Sequence, residues 1–119
     1  MTEGYDELAP ELLVEARGSL RIVTMNRPDA LNAVNLPLHK AITLVWDQLA
    51  GDTEARAVVL TGAGRAFSAG GDLHHIQDLQ RDDWLRREDM VRAAAIVRTM
   101  LDCPLPIVAA TPGRVRNAC

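Results

Sequence analysis

Val58-Val59-Leu60-Thr61-Gly62-Ala63-Gly64-Arg65-Ala66-Phe67-Ser68-Ala69-Gly70-Gly71-Asp72-Leu73 is the most informative stretch of this 119-residue chain. Its apolar opening, Ala57 to Thr61, is bounded by Arg56 and Gly62. That run reads as a strand covered on both faces, which places the chain in the α/β class. The glycine-rich segment after it admits several chemistries. A dinucleotide fingerprint would begin at Gly62 and Gly64 but meets Phe67 where its third glycine belongs. The phosphate-cradling loop fails too, because no Gly-Lys pair occurs. A nucleophile elbow centred on Ser68 needs a late histidine and a much larger sheet, and His74 and His75 stand too near along the chain. A third option is geometric. Ala69-Gly70-Gly71 sets small residues before a helix start near Leu73, with Asp72 as its cap. Backbone N–H groups at such a start suit an oxyanion. Spacing alone leaves this open against a simple tight strand-to-helix connection.

Working outward toward the N-terminus, residues 1–11 read as a loose acidic lead-in. Leu12 to Arg17 and Leu20 to Met25 read as two strands joined by a Gly18-Ser19 turn, a hairpin. In the second strand Leu20, Ile22 and Thr24 alternate with Arg21 and Val23, so one face is predicted to be buried. Asn26-Arg27-Pro28-Asp29 is a breaker cluster. Asn35 caps a helix that has Pro37 in its first turn and stops at Gly51-Asp52. Leu38, Ile42, Val45 and Leu49 give that helix one apolar stripe.

Working outward toward the C-terminus, Asp82 or Asp83 caps a long helix through about Asp102, with Trp84, Val91, Ala94, Ala95, Arg98 and Leu101 near one face. Pro104-Leu105-Pro106 ends it, and Ile107-Val108-Ala109-Ala110 reads as a further buried strand. An α/β arrangement that stops on a strand lacks the next covering element. That strand and the helix's apolar face are therefore expected to be poorly covered.

Composition bounds the rest. With 48% hydrophobic and 24% charged residues the chain is an ordinary globular one, long enough for one domain. Aromatics make up only 3%, so the core rests on aliphatic side chains. A net charge of −3 without a basic stripe argues against nucleic acid as a partner. No apolar run approaches the length of a membrane span. The acidic Met1 to Glu7 segment lacks the apolar region of a signal peptide, so a cytoplasmic protein is expected. Cys103 and Cys119 show neither metal-ligand spacing nor a disulfide framework. The His74-His75 pair lacks a third ligand, so no metal site is expected.

Three segments together carry a family resemblance. Asn26-Arg27-Pro28-Asp29-Ala30-Leu31-Asn32-Ala33, then Val58 to Leu73, then Pro106-Ile107-Val108-Ala109-Ala110, in this order and spacing, resemble the enoyl-CoA hydratase/isomerase (crotonase) family. The resemblance spans about residues 12 to 110. It implies the N-terminal part of a crotonase-like ββα spiral fold, truncated, with residues 12–110 a partial domain and 111–119 a divergent tail. It also implies a lyase of fatty acid metabolism that binds acyl-CoA thioesters, coenzyme A entering as part of the substrate with no separate cofactor. Arg27, Ala30 and Leu31 would border the adenine and phosphate end of coenzyme A. Ala69, Gly70, Gly71, Asp72 and Leu73 would line the thioester, with the Gly71 N–H in the oxyanion hole and Asp72 structural.

The tail departs from the family pattern. Gly113 falls at the turn glycine and Ala118 at the second oxyanion donor, but Arg114, Arg116 and Asn117 do not suit a close-packed glycine helix start. The family's catalytic glutamates have no counterpart among Glu3, Glu7, Glu11, Glu15, Glu54 and Glu88. The helices that build the family's homo-trimer or hexamer would lie beyond the sequence. Two expectations follow from this: an enzyme of enoyl thioesters, or a truncated, catalytically inactive CoA-binding remnant.

Overall fold

The computed structural model describes residues 5–111. Strand β1 (Leu12–Arg17) turns through Gly18, at φ +58°, into β2 (Leu20–Met25), and the two pair antiparallel from Leu12↔Met25 to Arg17↔Leu20. Helix α1 (Leu36–Ala50) then carries the chain over to β3 (Ala57–Gly62), parallel to β2. Helices α2 (Leu73–Arg81) and α3 (Asp83–Asp102) make the next crossover, to β4 (Ile107–Ala110), parallel to β3. The sheet order is β1-β2-β3-β4. It is a mixed α/β layer whose parallel strands are joined by helical crossovers, as parallel pairing requires. Among the described residues no helix is long and apolar enough to cross a membrane.

Local sequence sets the helix starts. The Asn35 side chain accepts from the Leu38 N–H at 3.1 Å, Asp72 from the His75 N–H at 3.2 Å and Asp82 from the Leu85 N–H at 3.1 Å. The predicted stripe of α1 faces the sheet, with Leu38, Val45 and Leu49 fully buried and Ile42 packed against them. Trp46 joins them and is fully buried. Opposite lie Leu12 and Val14 of β1, Val23 and Met25 of β2, and Val58 and Leu60 of β3.

Three expectations are corrected, and the buried face of β2, left open by its alternation, is assigned. Strand β2 buries Arg21, Val23 and Met25, while Leu20, Ile22 and Thr24 are only half-buried. Arg21 fits the buried face because its guanidinium is neutralised where it enters the core. Its Nε donates to Asp52 Oδ2 at 2.8 Å and its Nη1 to the Gly18 carbonyl at 2.7 Å, and the Tyr5 hydroxyl donates to the same Asp52 oxygen at 2.7 Å. The N-terminal lead-in is not loose from Tyr5 onward: Tyr5, just before the Asp6–Leu8 turn, and Leu8, its last residue, belong to the core. Strand β3 is fully buried on its Val58 and Leu60 face and half-buried on the other. Strand β4, read as buried, is exposed beyond Ile107, with Val108 at 60%. Among the described residues it is an edge strand with no layer over it, in keeping with the poor cover expected for it. Helix α3 likewise turns Trp84, Val91 and Leu101 outward at 69%, 71% and 79% exposure.

Candidate functional site

Asn32 ties the two quoted motifs into one knot. Its side chain is fully buried, and its Oδ1 accepts from the Arg27 backbone N–H at 2.7 Å. Its Nδ2 donates to the carbonyls of Ala63 and Ala66 at 2.9 and 2.8 Å, and its own carbonyl accepts from Ser68 Oγ at 2.8 Å. Leu31 and Asn32 both lie in the left-handed region, at φ 52° and 56°, a conformation that these bonds hold in place. Gly62 sits where the loop closes back on β3. A Cβ there would meet the Phe67 carbonyl oxygen at 2.4 Å and that of Ala66 at 2.5 Å.

The second half of the loop is held by a single parallel bridge between Val34 and Gly71. The Val34 N–H donates to the Gly70 carbonyl at 2.7 Å, and the Asp72 N–H donates to the Val34 carbonyl at 2.9 Å. The bridge thus uses the groups flanking Gly71 and leaves its own N–H pointing away. Among the described residues that N–H has no hydrogen-bond partner, and Gly71 is exposed. Gly70 adopts φ +99°, which only glycine takes without strain. Ala69 is anchored by its N–H to the Leu31 carbonyl at 2.9 Å.

Asp72 does what its position suggested: it caps α2 and holds the loop. Its carboxylate accepts from the His75 N–H and from Arg27 Nη1, the latter at 3.2 Å. The His75 backbone bond and the Arg27 bond hold the Asp72 carboxyl below its ordinary range. Arg27 Nη1 also donates to the Ala33 carbonyl. The guanidinium is thus a brace between the Asn26–Ala33 turn and the glycine loop, and only its remaining donors are available to a ligand. The structure brings Arg27, Ala30, Leu31 and Ala69 to Leu73 into one neighbourhood, joined by the Leu31–Ala69 and Arg27–Asp72 bonds. Ala118 lies outside the described residues. Ser68 is structural: its Oγ donates to Asn32 and accepts from the Gly70 N–H at 3.2 Å.

Sequence reasoning missed two features. The role of Asn32 is not legible within its motif, because three of its four partners lie 31 to 36 residues away. The His74-His75 pair looked ligand-poor, yet His75 meets two partners that only the fold supplies. His75 Nε2 lies 2.9 Å and His39 Nδ1 2.8 Å from the same Asp89 Oδ1. Burial alone would raise the Asp89 carboxyl, but the bonds to His75 and His39 outweigh it and hold that group below its ordinary value.

Comparison with known proteins bears on the same segments. A family model described as enoyl-CoA hydratase/isomerase matches residues 15–118. "Enoyl-CoA hydratase EchA19" of Mycobacterium tuberculosis is 46% identical over 67 residues, covering 56% of this chain and 25% of that protein. A "Probable enoyl-CoA hydratase" of Rhodobacter capsulatus is 35% identical over 106 residues, covering 87% of this chain and 39% of that protein. The crystal structure of an enoyl-CoA hydratase/isomerase from Mycobacterium paratuberculosis matches with a TM-score of 0.83 at 48% identity, over 87% of this chain and 41% of that one. This chain therefore spans less than half the length of each of these relatives.

Proposed function

The chain belongs to the enoyl-CoA hydratase/isomerase family, and from that premise we propose that its glycine loop receives the thioester carbonyl of an acyl-CoA, the Gly71 N–H donating to the carbonyl oxygen. The observation that carries the reading is the Val34–Gly71 bridge, which immobilises the loop while leaving this one donor without a partner among the described residues. A fixed N–H of this kind favours the enolate oxygen over the ground-state carbonyl, because no reorganisation is needed as charge develops. Leu73, exposed just past the loop, would border the acyl chain, and Arg27, Ala30 and Leu31 the coenzyme A end. A second donor is assigned to Ala118 on the resemblance alone.

A second reading, binding without turnover, is favoured by the state of Asp72. Its carboxylate is the one nearest the loop in sequence, and it is committed to the helix cap and to Arg27, so it is not free to act as a general base. The two readings are separated by two measurements on the purified chain: acyl-CoA affinity by calorimetry, and hydration of crotonyl-CoA followed by loss of its enoyl-thioester absorbance. Hydration lowered about 10²- to 10³-fold in Gly71→Pro, with circular dichroism unchanged, is the expected result for an oxyanion donor. Affinity without hydration selects the second reading. Neither affinity nor hydration in the folded chain would remove both.

A further inference from the structure

The His39–His75–Asp89 cluster lies outside the proposed thioester chemistry, and its three side chains come from three different helices. His39 lies in the first turns of α1, His75 in the first turn of α2, and Asp89 within α3. Their side chains are 9%, 9% and 17% exposed. One ligand-capable atom from each lies within 4.8 Å of the other two. Both imidazoles converge on a single carboxylate oxygen, at 2.8 and 2.9 Å. As a hydrogen-bond network, each ring directs an N–H at the same atom, and a carboxylate oxygen accepts both through its two lone pairs. One metal ion in place of the two protons would meet the same three donor atoms. Donors around a tetrahedral ion at about 2.0–2.1 Å sit roughly 3.3 Å apart, so the nitrogen–oxygen pairs open by only about half an ångström.

We propose that His39, His75 and Asp89 form a binding site for one divalent transition-metal ion of the zinc type. Two neutral imidazoles and one carboxylate are a borderline donor set, which selects such an ion over magnesium or calcium. Three protein ligands leave one coordination position for water. Arg92 Nη1 forms a long ion pair with Asp89 Oδ1 at 4.0 Å, beyond hydrogen-bonding distance. The metal's role is positional. It ties α1 and α3 to the first turn of α2, directly after the Asp72 cap and the Gly71 loop.

The test uses the whole chain, stripped with chelator and titrated with Zn²⁺ against a chromophoric competitor, and with Co²⁺ for its visible absorption. The expected result is one ion per chain, with the cobalt spectrum of a four-coordinate site. His39→Gln and Asp89→Asn should each weaken Zn²⁺ binding by at least about 100-fold, since even groups outside the ligand set cost up to that much. The exposed neighbour His74→Ala should leave binding in place. Failure of the wild-type chain to take up stoichiometric Zn²⁺ would overturn the proposal whether or not any variant folds. Uptake unchanged in both His39→Gln and Asp89→Asn would overturn it equally.

Discussion

Gly62 is the residue at which the loop tolerates least. Two backbone carbonyls stand where a Cβ would go, at 2.4 and 2.5 Å, and the Asn32 amide nitrogen stands at 2.7 Å. None of these is the free end of a flexible side chain, so relief requires moving the backbone that shapes the site. Gly62→Ala is expected to destabilise the chain by at least about 2 kcal/mol, read as a lowered denaturant midpoint. Gly71 differs. A Cβ there would meet Ile76 Cδ1 at 3.0 Å, and that half-exposed side chain is able to rotate aside. An alanine at 71 is thus milder for folding than one at 62, though it sits beside the proposed donor. The two glycines look alike in the sequence, and only their neighbours tell them apart.

At the scale of elements, α1, α3 and the poor cover of β4 and of the α3 face were legible, while α2 as a nine-residue helix and the buried face of β2 were not. The caps Asn35, Asp72 and Asp82 act on N–H groups three residues ahead, so a local pattern suffices to place them. The face of β2 depends instead on Asp52, 31 residues away, which draws Arg21 inward. Strand β4 pairs with β3 through Val58↔Ile107 to Thr61↔Ala110, and the Thr61 hydroxyl donates to the Ala110 carbonyl at 2.6 Å. Its faces nevertheless have little over them, and α3 leaves Trp84, Val91 and Leu101 outside. The chain by itself is expected to bind the dye ANS in its folded state. Replacing Val91 and Leu101 by glutamine should reduce that fluorescence while shifting stability by no more than about 0.5 kcal/mol per site. A cooperative fold that binds no dye would show those faces to be covered.

Across the whole molecule, the Tyr5–Asp52–Arg21 cluster joins the N-terminal turn, β2 and the connection after α1. Hydrogen bonds from Arg21 and Tyr5 lower the Asp52 carboxyl from its ordinary 3.8 to about 2. The native state thus holds the charged form more tightly than the unfolded chain does. The stability this contributes is present above pH 3.8 and is lost as the pH falls through about 2. Burial, with the Asp52 bond, pushes the Tyr5 hydroxyl up to about 12, so its contribution is present below pH 10.0 and is lost as the pH rises through about 12. Asp52→Asn should cost about 2 kcal/mol at neutral pH and flatten the acid limb of a stability-against-pH curve measured by urea unfolding. The sequence by itself determined the α/β class, the extents of α1 and α3, the family motifs and the cap at Asp72, because short local patterns carry each of them. Only the tertiary structure decided which face of β2 is buried, that Asn32 locks the glycine loop, that Arg27 braces Asp72, and that His39 and Asp89 complete a cluster with His75. Those outcomes depend on partners 31 to 50 residues distant for Arg21, Asn32, Arg27 and His39, and on one 14 residues away in the next helix for His75. Long-range contacts of this kind are set by how the layers pack, and a linear pattern of residue types does not encode them one neighbour at a time.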